Sequence, residues 1–372
     1  MADPIFVEVT NLMGGHITGI GRFAARVVEA LAKVASVRLV CNSTWELAVS
    51  QRMRTDLLAG QEIAVTSADL PAAGMDLMSW TRRLLKLPKR AHDPRCAERC
   101  AAVYTCLRQP ARHFRKEMLI IHDFTPQIVP WAHTPLTVQT FGTLFGKTAK
   151  LCDKLVANSH STKADARWLC AVPPDDVVVC YPGPSLCPNY HLHTRPVTKR
   201  SNVLLVVATL EPRKNLPFLF DWFQKTTVLP PGMELWWVGA KGWWCPNNWS
   251  TLVGRKWGNA RKFRFLGAVS DKKLCRLYQQ AAVSIYPSLY EGFGFPVLDS
   301  LNHRTPVACS YNSSLKEFAC PGVFYFDPCA AETLDRACLE ALAFSPSKIE
   351  QPDLRRRYSW DKFAQTVLAL SA

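Results

Sequence analysis

Short apolar runs alternate with amphipathic stretches along this chain, in two series parted by a proline-rich break. Segments 5–10, 37–40, 118–122, 155–158 and 177–180 read as strands of a first series. Segments 202–208, 234–238, 263–266, 283–286 and 306–309 read as a second. Between the strands, 22–32 carries apolar residues at three- and four-residue spacing, Ser159 to Ser161 offer N-caps, a helix starts at Leu216, and Ser270-Asp271 caps 272–281. A last helical segment, 360–370, follows a polar run at 351–359. The break at 182–202 contains Pro182, Gly183, Pro184, Pro188 and Pro196 and has no periodicity. Such alternation predicts an α/β protein of two parallel-sheet domains facing one another across a ligand cleft. The boundaries follow: an N-terminal domain at 1–184, a linker at 185–201, a C-terminal domain at 202–350, and a helical segment at 351–372 that is expected to cross back to the first domain.

A chain of 372 residues suffices for two domains. No run of eighteen uninterrupted apolar residues occurs, so no transmembrane helix is expected. The first residues, Met1 to Phe6, lack the basic and apolar regions of a secretory signal. The fourteen cysteines form no C-x-x-C pair, which predicts reduced thiols in a cytoplasmic protein. The formal charge is +15, and segment 82–116 concentrates eleven basic residues against two acidic ones. Trp80, Leu84, Leu85 and Leu87 interleave with its front half. This segment reads either as a surface for anionic lipid, placing the protein at the inner face of the cell membrane, or as a solvated helix pair. No nucleic-acid module is evident, so nucleic acid is not an expected partner.

Four constellations can carry chemistry. Tyr290-Glu291-Gly292-Phe293-Gly294-Phe295-Pro296 follows the strand at 283–286, and Asp299 is expected in the first turn of the helix opened by Pro296. Carboxylates accept from paired sugar hydroxyls, and the glycines let a substrate approach the backbone. An acid early in a helix is also favoured by the helix dipole whatever its task. Second, Thr209-Leu210-Glu211-Pro212-Arg213-Lys214-Asn215 follows the first strand of the second half, where two adjacent cations suit a diphosphate or a solvated turn. Third, Gly14, Gly15, Gly19 and Gly21 make a turn before a helix, either a phosphate loop or a plain connection. Fourth, His122-Asp123 ends a strand, where the histidine can bond a sugar hydroxyl or serve structure alone. There is no D-x-D and no metal-ligand spacing, so no metal or other cofactor is expected and protein cations must neutralise any phosphate.

Thr18-Gly19-Ile20-Gly21-Arg22, His122-Asp123, Asn158-Ser159-His160-Ser161, the Thr209 to Asn215 segment, Val238-Gly239-Ala240-Lys241-Gly242 and Glu291 to Pro296 together resemble the retaining glycosyltransferases of family 4, in the family's order. The resemblance implies the GT-B architecture, two Rossmann-like domains of which the first (1–184) binds the acceptor and the second (202–350) the nucleotide sugar, and a metal-independent enzyme. It implies that Glu291 contacts donor-sugar hydroxyls, that Arg213 and Lys214 hold the diphosphate, and that Gly292, Phe293 and Gly294 present backbone N–H groups. Gly19 and Gly21 would close over the phosphates and His122 would touch the donor sugar. Asp299 stands where the family usually has a glutamate that bonds the ribose, one methylene longer. The implied reaction moves a hexose, mannose or glucose, from a GDP- or UDP-sugar to a saccharide or lipid-linked saccharide in surface polysaccharide synthesis. A GT-B epimerase and a degenerate nucleotide-sugar-binding scaffold are the competing readings.

Overall fold

The computed structural model describes residues 3–12, 19–40, 61–65, 67–69, 77–84, 86–87, 89–91, 98–106, 108, 112–186, 200–243, 256–257 and 261–372. The chain divides into two compact units, one of Met1–Gln127, Pro135–Ser185 and Arg357–Ala372, the other of Ile128–Thr134 and Leu186–Arg356. Gly14, Gly15, Thr18 and much of 82–116 lie outside the described residues.

The N-terminal unit contains β1 (Ile5–Glu8), α1 (Gly19–Ala32), β2 (Val37–Val40), β3 (Gln61–Val65), α2 (Leu77–Leu84), β4 (Lys89–Ala91), β5 (Ala101–Tyr104), β6 (Lys116–Ile121), β7 (Lys154–Ala157), α3 (His160–Cys170) and β8 (Val177–Val179). The strands form one sheet in the order β4-β3-β2-β1-β5-β6-β7-β8. It is parallel from β2 through β8, whereas β3 pairs antiparallel with both β2 and β4. The antiparallel edge departs from the all-parallel expectation. Central strands such as β1 are buried along their whole length, which is why they read as apolar runs without alternation.

Helix α1 turns Phe23, Val27, Val28 and Leu31 inward. The C-terminal helix, Trp360–Ser371, packs on it: the Phe23 ring meets Trp360 and Phe363 edge-on, at 5.2 and 5.6 Å between centroids. Trp360 Nε1 donates to the Pro184 carbonyl at 2.8 Å, and a Cβ on Gly183 would lie 2.4 Å from the Trp360 ring. The polar run at 351–359 is largely helical, Gln351–Arg357.

Two apolar residues at the front of the basic segment 82–116 serve the core. Trp80 and Leu84 are each 1% exposed, and Trp80 Nε1 donates to the Asp69 carbonyl. Arg108 is buried too, its Nε 2.7 Å from Glu117 Oε2, while Glu117 Oε1 takes the His113 and Phe114 N–H groups. An apolar face built on Trp80 and Leu84 is therefore turned inward, and Arg82, Arg83 and Lys86 remain as exposed charge. No helix among the described residues is long and apolar enough to cross a membrane.

The C-terminal unit contains β9 (Val203–Val207), α4 (Leu216–Lys225), β10 (Glu234–Val238), β11 (Lys256–Trp257), β12 (Arg261–Gly267), α5 (Asp271–Gln280), β13 (Val283–Tyr286), α6 (Phe295–Asn302), β14 (Val307–Ser310), β15 (Val323–Phe326) and α7 (Ala331–Ala343). Its sheet runs β11-β12-β10-β9-β13-β14-β15, with only β11 antiparallel among the described pairings. Leu204, Val206, Leu219, Phe223, Trp237 and Ile285 form its core. Trp237 donates its Nε1 to the Ala208 carbonyl there. Ser270 Oγ caps α5, as its position before the apolar pattern predicts.

Candidate active site

From β9 the chain runs through β10 to β12, then returns to β13 on the other side of β9. The sheet's switch point is therefore the β9/β13 crevice, where ligands of open α/β sheets bind. Two of the sequence motifs are the turns that leave these strands. Gly239 and Gly242 let a third loop close against them, since a Cβ on either would lie about 2 Å from the Ala208 or Leu210 carbonyl oxygen.

After β9, Pro212–Lys214 form a single 3-10 turn that ends at Asn215, whose φ is 57°. Asn215 tolerates this left-handed conformation, and its Nδ2 donates to the Pro328 carbonyl at 2.8 Å. After β13, the Leu289 N–H donates to the Arg213 carbonyl at 2.8 Å and ties the two turns together. Ser313 Oγ accepts from the Glu291 N–H, and Ser314 Oγ donates to the Glu291 and Phe293 carbonyls, each at 2.9 Å. Gly294, at φ 108°, caps α6, and a Cβ there would lie 2.6 Å from Leu315 Cδ2. Glycine is required on both counts.

These turns bring Glu291, Arg213 and Lys214 into contact. Glu291 is 6% exposed. Its Oε1 accepts from Lys214 Nζ and from Tyr286 Oη at 3.0 Å, and its Oε2 is 2.8 Å from an Arg213 guanidinium nitrogen. Lys214 Nζ also reaches Tyr286 Oη at 2.9 Å. Arg213 Nε lies 2.9 Å from Glu211 Oε2, as an ion contact without hydrogen-bond alignment. The cluster carries two cations and two carboxylates.

Burial alone would raise the Glu291 pKa, but the adjacent Arg213 and Lys214 cations outweigh it and hold the group down at about 2. Burial, with Arg213 beside it, pulls the Lys214 ammonium below its ordinary value against the opposing pull of Glu291. Burial and the Glu291 carboxylate push the Tyr286 hydroxyl well above its ordinary range. The carboxylate keeps its charge because two cations converge on it. The arrangement presents an arginine fork and an ammonium beside a hydrogen-bond-accepting carboxylate, which suits an anionic group joined to a polyol.

The other expected residues fall as follows. Gly292 and Phe293 belong to the same turn, and the Phe293 ring is buried against Phe295 and Phe318. Asp299 is the fifth residue of α6, so it stands in the second turn rather than the first: the helix begins at Phe295, before Pro296. It is buried, with Oδ1 3.4 Å from the Leu186 N–H. Gly19 and Gly21 belong to the N-terminal unit and form the first turn of α1, not a loop ahead of a helix at Arg22.

His122, in the N-terminal unit, follows β6 directly. Its Nε2 lies 2.6 Å from the Thr105 carbonyl, so the neutral ring donates there and offers Nδ1 elsewhere. Its ring meets Phe23 edge-on at 4.7 Å, and burial lowers its pKa. Sequence reasoning gave no role to Glu211, Tyr286 or Ser314. The signal for Tyr286 was its place as the last residue of a strand five positions before Glu291.

Among solved structures, Anabaena Alr3699/HepE, determined in complex with UDP and glucose, has a TM-score of 0.62 at 15% identity, covering 99% of each chain. Sucrose-phosphate synthase from Thermosynechococcus elongatus has a TM-score of 0.66 at 16% identity, covering 99% of this chain and 98% of that one. The fold is the GT-B architecture of two Rossmann-like units. The family described as Glycosyl transferases group 1 matches residues 194–356, which contain the whole Glu211, Arg213, Lys214 and Glu291 cluster. The matched residues lie within the C-terminal unit. O-antigen chain mannosyltransferase B of Escherichia coli is 34% identical over 143 residues, 37% of this chain and 36% of that protein. O-antigen chain mannosyltransferase RfbU of Salmonella typhimurium is 32% identical over 108 residues, 28% of this chain and 30% of that protein. These matches span about a third of the length of either relative.

Proposed function

We propose that this protein is a retaining hexosyltransferase of family 4 that moves mannose from a nucleotide diphosphate sugar to a saccharide or lipid-linked saccharide during surface polysaccharide synthesis. The observation that carries the reading is the convergence of Arg213, Lys214 and Glu291 at the β9/β13 switch point. Mannose is preferred to glucose because O-antigen chain mannosyltransferases are among the relatives. GDP is accordingly preferred to UDP as the carrier.

In this reading Arg213 and Lys214 take up the charge that develops on the departing diphosphate, without a metal ion. Glu291 accepts hydrogen bonds from sugar hydroxyls and orients the anomeric carbon. Backbone N–H groups of Gly292 to Gly294 and the first turn of α6 complete the donor site. Asp299 bonds the ribose after giving up Leu186. Gly19 and Gly21 supply N–H groups to the phosphates, and His122 meets the donor sugar through Nδ1. The acceptor hydroxyl attacks the face that the diphosphate leaves, passing its proton to the leaving phosphate, so configuration is retained. A cytoplasmic location with peripheral contact to an anionic membrane fits the charge of Arg82, Arg83, Lys86 and Arg99, without an apolar anchor from Trp80 or Leu84.

The test is thermal stabilisation by GDP, UDP and ADP, followed by incubation with GDP-mannose and a panel of mannosides in the presence of EDTA. Stabilisation by GDP and an EDTA-resistant α-mannosyl product support the proposal. Stabilisation by no nucleotide refutes it, and loss of transfer in EDTA refutes its metal-free mechanism.

A further inference from the structure

The N-terminal sheet has a switch point of its own. From β1 the chain moves outward through β2, β3 and β4, then returns to β5 on the other side of β1. At the carboxyl end of this β1/β5 crevice stands Glu8, the last residue of β1, only 5% exposed. Among the described residues no basic side chain pairs with it. Oε1 accepts from the Thr10 N–H at 2.8 Å, and the Thr10 hydroxyl and Thr105 N–H also act on the carboxyl. Burial raises its pKa to about 7, against these hydrogen bonds. A buried carboxyl without a cation is costly to a fold, and such groups cluster at functional sites.

Its surroundings form a fixed polar chain. Thr105 Oγ1 donates to the Glu8 carbonyl at 2.8 Å, Asn11 Nδ2 donates to Thr105 Oγ1 at 3.2 Å, and the Thr105 carbonyl accepts from His122 Nε2 at 2.6 Å. The ends of β1, β5 and β6 are thereby held in one register. Asp123 Oδ1 is engaged by the Thr125 N–H and hydroxyl. Two hydrogen-bonding groups, the Glu8 carboxyl and the His122 ring, are therefore anchored to one residue, Thr105.

We propose that Glu8 is the hydroxyl-binding residue of an acceptor-saccharide subsite at the β1/β5 crevice, kept in register with His122 through Thr105. The ligand class is a neutral pyranoside that donates a hydroxyl hydrogen to the carboxyl. This deepens the transferase reading and depends on it. Its cationic donor site belongs to the other unit, so the two can fail separately.

The probes are methyl α-mannoside and methyl α-glucoside, followed by saturation-transfer NMR, with GDP titrated calorimetrically as the donor-side control. The wild type is expected to bind at least one glycoside. Glu8→Gln should weaken that affinity at least tenfold, with the GDP Kd within twofold of wild type. Glu8→Asp should recover part of the loss, and guards against a glutamine variant that does not fold. Equal glycoside affinity in wild type and Glu8→Gln, or no glycoside binding by wild type, overturns the subsite. Parallel loss of GDP and glycoside binding in both variants also overturns it, because Glu8 would then serve packing alone. Failure of wild type to bind GDP, UDP or ADP counts instead against the transferase reading.

Discussion

Glu291→Gln removes one negative charge from between two cations while keeping the side chain's shape. The carboxyl's fall from an ordinary 4.5 to about 2 in the folded protein favours the ionised form by about 3 kcal/mol, at about 1.4 kcal/mol per pH unit. A folded pKa that is depressed gives stability that is present in full above pH 4.5 and is lost as pH falls toward 2. The variant should therefore be less stable than wild type by about 3 kcal/mol at pH 7, within the range for breaking a buried ion pair. The deficit should shrink by about 2 kcal/mol at pH 3, where much of the wild-type contribution has gone. Urea unfolding of both proteins at the two pH values measures this. A second consequence separates binding from chemistry. With Glu291 neutral, a diphosphate about 7 Å away meets one less negative charge, worth roughly 2 kcal/mol at an effective dielectric of about 20. GDP should bind tenfold or more tightly while mannosyl transfer falls. A stability deficit equal at pH 7 and pH 3, or weaker GDP binding, would falsify the account of the cluster.

Arg213→Lys keeps the charge but loses the fork that reaches both Glu211 and Glu291; GDP affinity should fall by roughly ten- to a hundredfold, the scale of one charged hydrogen bond, by calorimetry. Gly294→Ala forces a side chain into φ 108° and against Leu315, and should cost about 1–3 kcal/mol in urea unfolding, with a normal melt refuting the strain. Glu8 has its folded pKa raised from 4.5 to about 7, so its contribution is complete below pH 4.5 and lost as pH rises through 7. Glu8→Gln should therefore gain about 3 kcal/mol on wild type at pH 8 and match it near pH 4. Glu117→Gln leaves Arg108 charged and buried and should cost about 3–5 kcal/mol, whereas a surface pair at this place would lose under 1 kcal/mol.

The two sheets were legible because their central strands are buried on both faces. Runs such as Met118 to Ile121 and Val203 to Val207 need no partner information to be recognised. The edges were not. Residues 61–65, 89–91, 256–257 and 323–326 read as no strand in advance, two of them the antiparallel rim of the first sheet, and the central strand at 101–104 was missed as well, because its alanines give a weak apolar signal. Residue type also misled where two roles share a signal. Trp80 and Leu84, at the front of the basic segment, left a lipid surface and a solvated helix pair equally open, because a stripe at helical spacing packs onto a core as readily, and these two do. The glycines at 19 and 21 looked like a loop because glycine weakens a helix, but α1 starts at Gly19 nonetheless.

The candidate site was legible to the extent that its members are close in sequence to a turn. Arg213, Lys214 and Glu291 stand out because cations or a carboxylate interrupt strand–turn–helix segments. Glu8 does not stand out, since it ends a strand of apolar residues and its environment comes from residues about a hundred positions away, Thr105 above all. The two carboxyls illustrate the difference in physical terms. Each is buried at the switch point of a sheet, and burial pushes both pKa values up. At Glu291 two cations reverse that push; at Glu8 hydrogen bonds alone oppose it and fail. One carboxyl is thus permanently charged beside cations that suit a phosphate, and the other can hold or release its proton near neutrality, as binding a neutral polyol allows. The same topology supplies both positions, and whether a cation pairs with the carboxyl decides which chemistry each can support: Arg108, in the turn after β5, pairs with Glu117 and not with Glu8.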